Sequence, residues 1–445
     1  MQFGFARVDI TPRVGVELQG YGPFLNRHSD GVRDPLFARA MALEANGTRA
    51  VVVSCDLIGV SAAITAAVRA NVTAATGLPG ECLLLHATHT HSGPSLPIYT
   101  GWGTPDPPYL ELLHRWLARA AIEALARLAE GTLRHAEVSC RGIAINREYD
   151  AFRAASVEAA MADDWQPARP DLTDTTCHVF AVDCGGRMTG FFSYYSCHPV
   201  VCGHNCRKIH GDYPGVATNL VERLHPGAVG MFLQGALGDI NAAVVCPEES
   251  EGLRALDVLA VRYARVVLNG LQTATELPAE EIRCATRPIV FSRKPWGLDA
   301  IQAMLHEQET ILHAPEARDT EREVRMAVVR ATALRALRAN LLADCSTTTP
   351  SQLHGLRFGR VALLGTPLEV FRAIKNEALS QTRSALPLVL GFVDDSLGYA
   401  IDRSTAAKGG YAVDLVPLMC NQAPFANIHD ELVAGLVALD ADLNA

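Results

Sequence analysis

The chain has 445 residues, 49% hydrophobic and 20% charged, enough apolar material for a large core and too little polar bias for a disordered chain. Its formal charge of −9, with no dense Lys/Arg patch to offset it, excludes general nucleic-acid affinity. Neither a secretory leader nor a membrane-inserted segment is expected, because Arg7 and Asp9 interrupt the opening MQFGFARVDITP and no run of about 18 uncharged apolar residues follows.

Apolar runs of strand length alternate with amphipathic stretches, a pattern that predicts an α/β fold with a mixed β-sheet core and surrounding helices. Val51 to Ser54 and Cys82 to Ala87 read as buried strands, with a helix from Ser61 to Ala75 between them. A second helix is expected over Leu110 to Glu130, stopped by Gly131. Ala136 to Asn146, Cys177 to Asp183 and Thr189 to Cys197 read as strands, and Gly185-Gly186 turns a hairpin between the last two. Tyr213 to Leu224 follows as a helix, Gly230 to Gln234 as a strand, and Ser250 to Gln272 as a long helix capped by its serine. From Gly297 to Ala343 the pattern is helical again and broken near Pro315. It reads as a helical insertion laid on the core, offering a surface for a homo-oligomer. Strands resume at Leu353 to Phe358 and Val361 to Leu364. With no repeat and no Pro/Ser-rich linker, residues 1–445 are expected to form a single domain.

Three of these strands end in groups that bind metals. Leu85-His86-Ala87-Thr88-His89-Thr90-His91-Ser92-Gly93-Pro94 carries an H-x-H pair; if the strand continues, His89 and His91 share one side and His86 takes the other. Among fifteen histidines such a pair is weak evidence by itself. A second apolar run ends at His198-Pro199, where proline cannot continue a ladder, and a third passes Pro367 to reach Glu369. Two imidazoles and a carboxylate at strand ends suit a catalytic zinc with one position left open. Cys197, Cys202, His204, Cys206 and His210 form a denser cluster, but its spacing holds no C-x2-C pair, so free thiols in a loop are the simpler reading. The twelve cysteines are expected to be reduced, as in a cytoplasmic protein.

Taken together, the motifs resemble the catalytic domain of the neutral/alkaline (non-lysosomal) ceramidases. In order, they are Val8-Asp9-Ile10-Thr11-Pro12, Gly20-Tyr21-Gly22, Cys55-Asp56-Leu57-Ile58-Gly59, Thr88 to Pro94, Ile145-Asn146-Arg147 and Cys197-His198-Pro199. Gly211-Asp212, Leu237-Gly238-Asp239, Pro367-Leu368-Glu369, Gly398-Tyr399 and Tyr411 complete the set. The resemblance implies a zinc-dependent amide hydrolase with His89, His198, Glu369 and Tyr399 as ligands of Zn2+. It also implies that His91, Arg147, Tyr399 and Tyr411 hold or protonate the substrate. Two departures shape the expectation: Gln234-Gly235 stands where the family carries a serine, and the family's C-terminal immunoglobulin-like domain is expected to be missing.

The expected reaction is therefore cleavage of an N-acyl bond by metal-activated water, on a small soluble substrate rather than ceramide. His91 would protonate the leaving nitrogen, Arg147 would hold a carboxylate or hydroxyl, and Asp239 and Asp212 would orient the ligand histidines. Two other readings stay open: a metal-dependent esterase or phosphoesterase, and a non-catalytic metal or redox sensor on the same fold.

Overall fold

A computed structural model describes residues 1–149, 156–345, 348 and 350–445. Eight strands in the order β8-β7-β6-β5-β1-β2-β3-β4 form the larger sheet. They are β1 (Gln2–Asp9), β2 (Phe37–Ala45), β3 (Thr48–Cys55), β4 (Leu83–Ala87), β5 (Ala129–Ser139), β6 (Thr176–Cys184), β7 (Arg187–Tyr195) and β8 (Val229–Gln234). The short β9 (Thr275–Glu276) adds to β5. Pairing is antiparallel except for β3 with β4 and β7 with β8, so the sheet is mixed. A second sheet, β10 (Ile282–Ile289), β11 (Ser351–Phe358), β12 (Val361–Gly365) and β13 (Leu386–Leu390), is antiparallel apart from its last pair.

Alternation along the central strands explains why they read as continuous apolar runs. Side chains of one parity, such as Ala6, Ala40 and Val53, face the helices Ala62–Thr76 and Pro107–Leu125. Those of the other parity, such as Phe5, Met41 and Val52, meet Phe358, Val361 and Leu363 of the second sheet. The outer face of that sheet packs on the helix Ile428–Leu443. The layers are thus helix, sheet, sheet, helix, with both sheets buried on two sides.

Gly185 and Gly186, with φ of 59° and 78°, supply the left-handed pair that a two-residue hairpin requires. Elsewhere the expected boundaries move. The second helix ends at Leu125, not Glu130, because Ala129 and Glu130 are taken up by pairing with Phe3 and Gln2. Gly131 lies inside β5, where an added Cβ would stand 2.7 Å from Cys184 Sγ. The run from Ala136 to Asn146 is split between β5 and a separate strand at Ala144–Asn146. Glu248, not Ser250, occupies the N-cap of the long helix Glu249–Thr273. The 297–343 segment is two helices, Leu298–Leu312 and Arg322–Leu342, whose shared apolar seam includes Leu305 and Leu334 and reaches Leu418. No helix among the described residues is long and apolar enough to cross a membrane.

Two buried polar devices tie distant strands together. Arg39 on β2, 3% exposed, sits between Asp56 (Nη1–Oδ2 2.9 Å) and Glu222 (Nε–Oε1 3.3 Å). Those carboxylates are tethered in turn by the backbone N–H groups of Phe37 and Gly230. The other device is His86, which accepts from Gln234 N–H and donates through Nδ1 to Ser54 Oγ; Ser54 donates to Phe232 O. That chain joins β3, β4 and β8, so the ends of strands far apart in the larger sheet lie side by side. Residues 391–397 complete the junction: Gly391, Val393, Asp394 and Leu397 donate to the carbonyls of Gln234, Thr366, Leu85 and Pro367.

Candidate functional site

At this junction β4, β7 and β12 stop, and His89, His198 and Glu369 follow within two to four residues of their ends. His89 has a left-handed backbone, φ 70°, uncommon for a residue with a side chain. The strand alternation expected from Leu85 to His91 therefore ends at Ala87, and the common orientation of His89 and His91 has another origin. His89 N–H donates to Leu57 O, its Nδ1–H donates to Ile58 O (2.5 Å), and its ring stacks on Phe392 at 4.0 Å. Leu57 and Ile58 belong to the Cys55–Gly59 motif, which here serves as a carbonyl rack for His89.

His198 is held in the same way: its N–H donates to Ile240 O, and its Nδ1–H points at Leu237 O (2.7 Å) and Ile240 O (3.0 Å). Backbone carbonyls, and not Asp212 or Asp239, orient both rings. Asp239 accepts from Asn146 Nδ2 and Arg372 N, and Asp212 from Val201 N and Tyr213 N. Burial raises the Asp239 carboxyl to about 6. Gly238 allows the Leu237–Ile240 turn to pass the Glu369 strand, since a Cβ there would stand 2.6 Å from Glu369 O.

A carbonyl can only accept, so each Nδ1 carries the proton and each Nε2 presents a lone pair. Burial also depresses protonation, taking His89 to about 4 and His198 well below its ordinary value. Glu369 Oε2 nevertheless lies 3.1 Å from His198 Nε2 and 3.7 Å from His89 Nε2. Three acceptors thus converge on one buried point, an arrangement that repels itself unless a cation stands between them. Two neutral imidazoles and one carboxylate are a donor set that zinc accepts while keeping a position free.

The other expected residues border the same cleft of about 230 Å³. Glu369–Val370 pairs in register with Tyr399–Ala400, which sets Tyr399 beside Glu369. Arg147 follows the Ala144–Asn146 strand, donates its N–H to Asp239 O, and holds its guanidinium 4.9 Å over the Tyr399 ring, with a hydrogen bond to that tyrosine. Tyr411 is 48% exposed at the mouth, with its ring 6.3 Å from that of Tyr399. His91 Nε2 is 3.1 Å from His89 Nε2 and must be the donor there; its buried Nδ1 has no partner. Burial, followed by the neighbouring His89, pushes its protonation well below the usual range.

Several lining residues carried no sequence signal of their own. Tyr99 and Trp102, like Phe392 under the His89 ring, are ordinary apolar positions until the chain folds. Val416 and Met419 line the wall that the helical insertion supports through Leu418. Gly235, at the expected serine position, has Ser196 Oγ 2.3 Å from where a Cβ would be, so the site has no room for that side chain without rearrangement.

Gly20 carries a sharper constraint. Its φ is +117°, and a Cβ there would stand 2.6 Å from His91 Nδ1. Gly20→Ala is expected to displace His91 and lower kcat/KM about 10²-fold, while metal content measured by elemental analysis stays unchanged. Full activity in that variant would show that the placement of His91 does not matter.

Comparison with known proteins gives the family and the fold. Residues 1–255 match the family described as neutral/alkaline non-lysosomal ceramidase, N-terminal. The fold is similar to that of neutral ceramidase from Pseudomonas aeruginosa, with a TM-score of 0.73 and 19% identity over 99% of this chain and 75% of that one. It is also similar to a structure described as ceramidase complexed with C2, with a TM-score of 0.76 and 20% identity over 100% of this chain and 75% of that chain.

Proposed function

We propose that this chain, which belongs to the neutral/alkaline non-lysosomal ceramidase family, is a zinc-dependent hydrolase of the amide bond in small N-acyl compounds. The observation that carries the reading is the meeting of His89 Nε2, His198 Nε2 and Glu369 Oε2 at one buried point, with both imidazoles turning Nδ1–H to backbone carbonyls. These three would hold the ion, with Tyr399 as the fourth ligand. When bound, the ion supplies Lewis-acid activation of water and of the substrate carbonyl.

The chain's own groups do the rest. The Arg147 guanidinium is half-buried, held over Tyr399, and offers a planar fork to a carboxylate or hydroxyl on the amine side of the substrate. Hydroxyls of Tyr399 and Tyr411, both lining the cleft, would donate to an oxygen that gains charge as the carbonyl is attacked. His91 borders the cleft and would relay a proton to the departing nitrogen, taking up in turn the one that the attacking water gives up. The cleft walls Ile58, Trp102, Val416 and Met419 exclude water from the acyl chain. A cleft of about 230 Å³ supports a compact substrate over a two-chain lipid.

The test is to assay metal-quantified protein against N-acyl amino acids, N-acyl amines, short-chain ceramides, carboxylic esters and phosphoesters. Amide turnover with one zinc per chain is expected, fastest where the amine carries a carboxylate or hydroxyl. Turnover confined to esters or phosphoesters, or two metals per chain, would overturn the reading in favour of an esterase on this scaffold.

A further inference from the structure

A second cluster, unused by this reaction, lies directly behind the cleft wall. Cys202 and Cys206 flank a β-turn closed by Cys206 N–H donating to Gly203 O (3.2 Å), and the tip residues His204 and Asn205 are exposed. Both cysteines are buried, and their Sγ atoms and His210 Nε2 lie within 4.8 Å of one another. The arrangement first suggests a metal site, but the histidine argues otherwise. Asp212 N–H donates to His210 Nδ1 (3.1 Å), so a neutral ring carries its proton on Nε2. That N–H faces Cys206 Sγ at 3.7 Å and has no lone pair to give a cation. His89 and His198 show the opposite tautomer.

A buried charge completes the picture. Arg27, 4% exposed, donates to the carbonyls of Gln19, His91 and Cys206, and no carboxylate among the described residues forms an ion pair with it. Burial works against that charge, and Tyr21, Cys206 and Cys202 partly offset the effect. Cys206 thus has a thiol donor in Cys202, an imidazole donor in His210 and a guanidinium nearby, the surroundings that favour a thiolate.

We propose that Cys202 and Cys206 form a thiol–disulfide site, with Cys206 as the attacking thiolate and Cys202 as the resolving thiol. With a hydroperoxide as oxidant, Cys206 sulfur attacks the terminal oxygen and the O–O bond breaks. Cys206 becomes a sulfenic acid, and the departing oxygen takes a proton from solvent. Cys202 then attacks Cys206 sulfur, the S–O bond breaks, and hydroxide leaves with the Cys202 proton as water. Two thiols are oxidised by two electrons, and the peroxide is reduced to water and an alcohol, or to two waters.

The site reaches the cleft through two links. Tyr21 donates its hydroxyl to Cys202 O, and its ring packs edge-on to His91 at 5.0 Å. Arg27 bridges Cys206 O to His91 O. Drawing the sulfurs to about 2.05 Å removes the thiolate beside Arg27 and shifts both carbonyls, and His91 moves with them. This coupling rests on the amide-hydrolase reading, whereas the disulfide does not.

The experiment treats the reduced, metal-loaded protein with hydrogen peroxide and maps its peptides by mass spectrometry. A Cys202–Cys206 crosslink lacking two hydrogen atoms is expected, reversible with dithiothreitol. Cys202→Ser should leave a sulfenic acid at Cys206 that dimedone traps, and Cys206→Ser should abolish both products. Activity should fall about 10-fold and recover on reduction in the wild type, and stay constant in both variants. Oxidation of exposed Cys345 with no 202–206 crosslink would overturn the proposal, as would a second metal equivalent released when Cys206 is alkylated. A crosslink that leaves turnover unchanged would overturn the link to His91.

Discussion

His198→Ala is expected to abolish metal retention and turnover together, lowering kcat/KM by about 10³-fold or more, the equivalent of about 4 kcal/mol of lost transition-state stabilisation. The size follows from how the donors are arranged. Removing one imidazole leaves His89 and Glu369 with a buried void where the third donor stood, and their Nε2 and Oε2 are 3.7 Å apart. Glu369→Gln tests the same point with almost no change in volume: the new amide N–H can donate to His198 Nε2, so the repulsion among the acceptors is relieved and the need for a cation disappears. Glu369→Gln should thus raise thermal stability in the metal-free protein while losing zinc, a pairing that a purely structural glutamate does not produce. His91→Ala should keep its metal and lose activity, separating ion binding from proton delivery. One zinc per chain in the purified His198→Ala protein would remove the basis of the proposed function.

The second large effect concerns folding. Arg39→Met should cost about 3–5 kcal/mol, because it leaves Asp56 buried without its cation and leaves Glu222 with Arg7 alone. Burial already pushes the Asp56 carboxyl upward against the pull of Arg39, so without the guanidinium that carboxyl takes up a proton. The measurement is urea denaturation at two pH values. In the variant, stability should recover as pH falls, since protonation of the orphaned Asp56 carboxylate removes its buried charge; the sign follows from a folded-state affinity for protons above that of the unfolded chain. A loss independent of pH would point to packing alone. Asp56 also ends the strand that leads to Leu57 and Ile58, so part of the lost stability should appear as looser seating of His89.

The reach of the sequence is clearest at the strand ends. His198 before Pro199 and Glu369 after Pro367 stood out because proline stops a ladder and leaves the next polar side chain at its tip. Arg147, Tyr399 and Tyr411 had no such punctuation and emerged only through the family's motifs. What orients the histidines was misjudged, since carbonyls from Ile58, Leu237 and Ile240 leave no mark in side-chain identity, whereas Asp212 and Asp239 were conspicuous. The left-handed turn at His89 was hidden for a similar reason: nothing in Thr88-His89-Thr90 requires it. The alternation of apolar runs with amphipathic stretches predicted a mixed-sheet core, but the meeting of β8 with β4 depends on His86, which the strand pattern had placed only as facing away from His89 and His91.

The donors gathered at the junction are far apart along the chain: 171 residues separate His198 from Glu369. An unfolded polypeptide offers no local chelate at such spacing, so affinity for the ion is a property of the finished architecture. Each molecule that captures an ion is thereby withdrawn from the unfolding equilibrium, by RT ln(1 + [L]/Kd). Metal supply would then set how long the protein survives in a cell as well as how fast it works. A nascent chain halted between residues 198 and 369 holds only two of the three donors and gains none of that protection.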